Sequence, residues 1–156
     1  MPIPNFTEYG LLPQGIHSCN FMEAENFFCT NDRRRTIWQG LRNAILEMHS
    51  YQLTGGALLV DGSFVTDKNI PNDVEVIYDV TNIDAPIERA KAILFFQEKH
   101  EFLKDNYYVD WYPNLPDNND FSLFFQYIGE KTAATKNLPP KTLKGILRIE
   151  SWEAEF

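Results

Sequence analysis

The stretch VDGSFVTDKNIPNDVEVIYDV, Val60 to Val80, holds the residues whose types and spacing are best suited to chemistry. A glycine directly after an apolar run lets the backbone come close to a ligand, and a Gly-Ser turn presents N–H groups and a hydroxyl to a phosphate. Gly62 and Ser63 form such a turn, and nine residues further on Asp73 and Glu75 open the run DVEVIYDV. An ionised carboxylate loses more hydration on burial than a fold replaces without a partner, so two acids at the head of an apolar run call for a counter-charge. A third acid, Asp110, sits in YYVDWYP with strand-like neighbours on both sides. If its strand lies beside that of Glu75, three carboxylates share one face, and like charges that close cannot all stay ionised. A divalent cation, Mg²⁺ or Mn²⁺, is the expected remedy, since Mg²⁺ takes one or two carboxylates together with waters and phosphate oxygens.

The elements that must position these groups follow from periodicity. Ala57–Val60 reads as a short buried strand and 74–80 as a second, in which Val74, Val76 and Tyr78 face one way and Asp73, Glu75 and Ile77 the other. Before them, Asn20 and Glu23 have capping-box spacing for a short helix through Phe28. From a Thr30-Asn31-Asp32 cap, Ile37, Trp38, Leu41, Ala44, Ile45 and Met48 recur at helical spacing as far as Tyr51. Asp84-Ala85-Pro86 starts another helix toward Leu103. A third strand spans 107–112 and stops at Pro113, FSLFFQYI is read as a fourth, 129–142 as an exposed loop, and LKGILRIE as a last strand beside the fourth. The expected fold is α+β or α/β, a mixed sheet of about five strands flanked by helices, in one domain over 1–156 with an irregular lead-in over about 1–19.

Composition narrows the function. With 156 residues and 44% hydrophobic content the chain can bury a core and is not disordered. No apolar run approaches the ~20 residues of a membrane span. MPIPNFTEYG has no basic-then-apolar leader pattern, so no membrane partner and a cytoplasmic setting are expected. Cys19 and Cys29 then read as reduced thiols. A net charge of −8 repels polyanions.

VDGSF, NDVEV and YYVDWYP together resemble the nucleotidyltransferase superfamily of the DNA polymerase beta type. Its signature is a hydrophobic residue followed by Gly-Ser, a gap of similar length, and acid-x-acid in the next strand. LPQGIH, the Arg-rich helix start and LKGILRIE look like a branch of small bacterial or phage-associated nucleotidyltransferase-like proteins. The resemblance implies that Gly62 and Ser63 hold a triphosphate, that Asp73 and Glu75 bind metal ions, and that Asp110 completes the site and activates the incoming hydroxyl. Glu75 stands where the commoner pattern has Asp, and its extra methylene shifts the carboxylate oxygens. The implied reaction is Mg-dependent transfer of a nucleoside monophosphate from a nucleoside triphosphate to a hydroxyl of a protein, an RNA end such as a tRNA acceptor, or a small molecule. A toxin–antitoxin or phage-defence setting with a toxin-like partner is implied as well. The alternative is a catalytically silent module of the same fold that binds a nucleotide or a protein.

The remaining candidates have plainer readings. Lys68, in the loop between the turn and Asp73, either touches the triphosphate or is a solvated lysine. Asp61 and Asp79 read as turn or surface acids, Arg33–Arg35 as a solvated helix start or a contact for an RNA end or acidic partner, and Lys131, Lys136, Lys141 and Lys144 as solvent-facing, with approach to a phosphate as the alternative for Lys144, just before Gly145. His17, His49 and His100 have no metal-ligand spacing, so no zinc site is expected. Trp38, Trp111, Trp152, Phe95, Phe96, Phe121, Phe124 and Phe125 read as core.

Overall fold

The computed structural model describes residues 3–81, 83, 85–115, 126–139, 142–150 and 152. Helix α1, Phe21–Phe28, begins with the reciprocal cap expected from its sequence. Glu23 N donates to Asn20 Oδ1 at 2.7 Å, and Asn20 N donates to Glu23 Oε1 at 2.9 Å. Helix α2, Asp32–Ser50, is capped by the Asn31 side chain and buries Ile37, Trp38, Leu41, Ala44, Ile45 and Met48, the stripe read from their spacing.

Within its first turn the Arg cluster divides. Arg35 stays exposed beside Asp32. Arg34 is only 3% exposed, and its guanidinium donates to the carbonyls of Phe28, Phe64, Thr66 and Lys68. Arg33 donates to the carbonyls of Pro71 and Asn72 and lies over the Tyr108 ring. The solvated reading is therefore corrected for both. A rigid fork of donors, always charged, suits a cluster of converging carbonyls, and here it clamps the loop that runs up to Asp73.

Strands β1 (Ile16–Ser18), β2 (Ala57–Asp61), β3 (Val74–Asp79), β4 (Val109–Asn114) and β5 (Ile146–Ile149) form one mixed sheet in the order β1-β5-β2-β3-β4. Between β3 and β4 runs helix α3, Pro86–Tyr107, with proline at its start. This long crossover allows β4 to lie parallel to β3. β4 includes Pro113, where the sequence suggested a stop; an edge strand tolerates proline because its outer N–H groups need no partner. β5 pairs antiparallel with β2 and parallel with β1, not with a strand at FSLFFQYI. Residues 121–125 of that segment lie outside the described residues, and its end touches the chain at the Tyr127–Leu143 bridge. The lead-in is thus not wholly irregular, since it supplies β1 at the edge. A further correction concerns 129–142, where Glu130–Lys136 forms helix α4. One buried alanine, Ala133, packs it against Leu11 and Ile128, too little apolar patterning to announce a helix in advance.

One sheet face carries the main core. Leu58, Val60, Val74, Val76, Tyr78, Trp111 and Leu147 pack there against α1, α2 and α3, together with Trp38, Phe95 and Trp152. Phe96 is partly buried, and Phe121, Phe124 and Phe125 lie outside the described residues. The opposite face holds a small apolar cluster, Leu59, Ile77 and Ile146. Asp79, read as a turn or surface acid, is buried and neutralised by Arg148 at 2.8 Å, with Asn114 donating at 3.2 Å. Cys19 and Cys29 are both free thiols. Among the described residues no helix is long and apolar enough to cross a membrane.

Candidate functional site

The site is assembled at one end of the sheet, on the face opposite the main core. β2 ends at Asp61, and Gly62 follows with φ 83° and ψ −171°, a conformation open essentially only to glycine. A Cβ at Gly62 would lie 3.2 Å from the Cβ of Glu75, so the turn backbone is pressed against that acid. Ser63–Val65 makes a tight 3₁₀ turn. Arg34 fixes the continuation through the Phe64 and Thr66 carbonyls, and Thr66 Oγ1 closes back on Ser63 O at 2.6 Å.

Register does the rest. Asp61 pairs with Glu75 across β2 and β3, and Glu75 pairs with Asp110 across β3 and β4. Partners in register point to the same side of a sheet, so three carboxylates form a row, with Asp73 just ahead of β3 on the same side. All six residues singled out in the sequence, Gly62, Ser63, Lys68, Asp73, Glu75 and Asp110, line one cavity of about 980 Å³.

Two of the acids are poorly compensated. Burial pushes the Glu75 carboxyl up to about 7, and the charges of Asp61, Asp110 and Asp73 push in the same direction against Lys144. Asp73 is also raised, first by burial and then by Asp110, against Lys104, Lys68 and Arg33. Among the described residues neither carboxylate has a hydrogen-bond or ion-pair partner. Asp110 differs: its Oδ1 accepts from His100 Nε2 at 3.1 Å, its Oδ2 accepts from Tyr112 OH at 3.0 Å, and Lys104 Nζ stands 3.9 Å away. Burial and the neighbouring Asp110 push the Tyr112 phenol up to about 12, so it remains a donor at neutral pH.

Among the described residues no group of three or more His, Cys, Asp and Glu side chains is drawn together closely enough to hold a metal ion as it stands. The donor chemistry nevertheless fits a hard divalent cation. Among the described residues Asp73 and Glu75 are unpartnered carboxylates facing a cavity, their ionised forms disfavoured first by burial and then by the neighbouring acids.

A raised folded-state carboxyl has a consequence for stability. Between the ordinary value near 4.5 and about 7 the folded state binds more protons at Glu75 than the unfolded chain, so this group's contribution falls as pH rises through that window. Without divalent cations, Glu75→Gln is expected to stabilise the fold by about 1–3 kcal/mol at pH 8 and by close to nothing at pH 3.5. Urea titrations at the two pH values check this; equal effects at both would remove the repulsion argued for here.

Other residues of the cavity were not legible as such. Asp61 is 4% exposed and forms an ion pair with Lys144, itself 3% exposed, which corrects the surface reading of both. Burial raises the Asp61 carboxyl, against the opposing pull of Lys144. The available signal was an acid ending an all-apolar strand, but its partner lies 83 residues away. Helix α4 supplies the far wall with Lys131, Thr132, Thr135 and Lys136, where a loop had been expected. Lys136 reaches across to Asp67 at 2.6 Å and ties α4 to the loop after Ser63.

No curated protein and no solved structure matches the chain. Its likeness to a known group extends over residues 4–150, and on that basis the chain belongs to a family of unknown function, DUF6932.

Proposed function

We propose that the protein is a divalent-metal-dependent nucleotidyltransferase that moves a nucleoside monophosphate from a nucleoside triphosphate to a hydroxyl. One observation carries the reading: a Gly-Ser turn, Asp73, Glu75 and Asp110 line a single cavity, with Glu75 and Asp110 side by side in register. The cavity falls in the size range of small-ligand sites.

Asp73, Glu75 and Asp110 would hold Mg²⁺ or Mn²⁺, which when bound neutralises charge developing around the α-phosphate. The N–H groups and hydroxyl of Gly62-Ser63 bind phosphate oxygens. Lys68 and Lys131 stand at the rim for the phosphate tail. Asp110 accepts the proton of the acceptor hydroxyl as its oxygen attacks the α-phosphorus; the bond to the bridging oxygen breaks and pyrophosphate leaves. Positioning and charge supply the rate, with little covalent work for the protein. A net charge of −8 favours a protein or small-molecule acceptor over a tRNA end, because phosphate neutralisation dominates affinity for nucleic acid. A cytoplasmic toxin–antitoxin or phage-defence pair, with a toxin-like protein as acceptor, fits that preference.

A second reading has its own support. Both oxygens of Asp110 are engaged by His100 and Tyr112, which suits a module that binds a nucleotide or partner without turning it over. Calorimetric titration with each nucleoside triphosphate and Mg²⁺, followed by transfer assays with labelled nucleotide, separates the two. Binding with no transfer to any protein, RNA or small-molecule acceptor favours the module, and no binding of any nucleotide sinks both. Under either reading, Lys131→Glu is expected to weaken triphosphate binding roughly tenfold at low salt and to leave nucleoside binding unchanged. Equal affinity of variant and parent for the triphosphate would remove Lys131 from the site.

A further inference from the structure

We infer that His100 and Tyr112 are positioning residues that aim the Asp110 carboxylate into the cavity while leaving its charge available. The inference rests on the nucleotidyltransferase reading and names a part of that site no motif in the chain announces. His100 lies on α3, ten residues before Asp110, and the crossover that brings β4 beside β3 also carries its ring back to the Oδ1 oxygen at 3.1 Å. A carboxylate only accepts, so Nε2 carries the proton in this contact. Tyr112, two residues along β4 and so on the same side, holds Oδ2 at 3.0 Å. Phe96, one turn before His100 on α3, packs against both rings, with centroids 4.7 Å from His100 and 5.9 Å from Tyr112.

The choice of donors separates positioning from plain anchoring. Asp79, an acid buried for structure, is neutralised directly by the Arg148 guanidinium at 2.8 Å. At Asp110 the close donors are an imidazole and a phenol, while the permanent cation Lys104 stands off at 3.9 Å with about half its side chain in solvent. A phenol and an imidazole N–H fix orientation through hydrogen bonds, one on each oxygen, where Asp79 is held by a guanidinium. An ionised carboxylate has about four acceptor positions, so one donor on each oxygen leaves capacity for a cation or an acceptor hydroxyl. Outer partners of this kind orient metal-binding carboxylates and typically alter metal affinity by ~10–100-fold when removed.

The test is Mn²⁺ titration by calorimetry on the full chain and its His100→Ala, His100→Gln and Tyr112→Phe variants, with thermal unfolding of each. His100→Ala should weaken Mn²⁺ binding roughly tenfold. Tyr112→Phe should weaken it as well. His100→Gln, whose amide nitrogen can stand where Nε2 stands, should recover most of the loss. In an Asp110→Asn background His100→Ala should have no further effect, because the positioned group is gone. Unchanged Mn²⁺ affinity in His100→Ala and Tyr112→Phe, whatever happens to their melting temperatures, overturns the inference and leaves the wider reading intact. Tighter binding in His100→Ala also overturns it, since the ring would then be competing with the cation. If the parent protein binds no Mn²⁺, the inference falls together with the nucleotidyltransferase reading. Should His100→Ala fail to fold, Tyr112→Phe and His100→Gln decide the matter by the same readout.

Discussion

Replacing Asp73 by Asn is expected to reduce nucleotidyl transfer by on the order of 10³-fold or more while leaving the fold intact. A bound metal ion supplies several kcal/mol of transition-state stabilisation, and every ~1.4 kcal/mol is a factor of ten in rate. Asp73 precedes β3, and its side chain carries no hydrogen bond or ion pair among the described residues, so the amide removes a charge without removing a contact seen there. The folded protein should become slightly more stable, because the carboxyl it loses is held above its ordinary range by burial and by Asp110. This opposition of effects makes the experiment informative: activity collapses while the melting temperature holds or rises. Under the proposed function the parent protein should melt higher with Mg²⁺ and nucleotide, and the same variant should lose that rise. Transfer that survives Asp73→Asn within threefold would exclude Asp73 from the chemistry.

The second large effect is structural and does not depend on any reaction. Lys144→Met is expected to destabilise the protein by about 3–5 kcal/mol, because it leaves the Asp61 carboxylate buried without its partner. For a chain of this size that corresponds to a fall in melting temperature of about 10 °C. Adding Asp61→Asn in the same chain should recover much of the loss, since exchanging both partners for neutral groups removes the stranded charge. The sign of the pH dependence follows. Once Lys144 is gone, burial at Asp61 is opposed by the Gly62 backbone N–H and no longer by the lysine charge, so the folded-state value rises further above that of the unfolded chain. The penalty therefore shrinks as pH falls and the carboxyl takes up a proton. Chemical denaturation of both variants at pH 8 and pH 5 measures this; a single variant that loses the same free energy at both would mean that Asp61 is not left charged in the core.

The two variants also mark how far the site was legible in advance. Asp73 and Glu75 were readable because their arrangement is local. Two acids at alternate positions of an apolar strand must share a face, and a glycine before them fits a backbone that presses close. Asp110 was readable on one condition, that its strand lie beside the second, and the parallel pairing of Glu75 with Asp110 meets it. The helix stripes of α1 and α2 and the crossover α3 were legible for the same reason, since each repeats a pattern within a few residues.

Other features depend on contacts between distant parts of the chain, which periodicity does not encode. The burial of Lys144 depends on Asp61, and that of Arg34 on carbonyls up to 34 residues away. A charged side chain looks alike in sequence whether water or a distant partner solvates it. Helix α4 was missed because its one buried alanine leaves almost no apolar stripe, so its packing against Leu11 and Ile128 makes it a wall of the cavity. Sheet order was settled in the same way. A three-residue β1 has too few residues for a recognisable alternation, and only β5, placed beside β2 by long-range pairing, gives it an edge to join. The chain's local patterns thus specify which acids share a face with the Gly62-Ser63 turn, whereas the far wall of the cavity and the lysine that faces Asp61 arrive from distant parts of the chain, because electrostatic neutralisation depends on distance in space and not on separation along the chain.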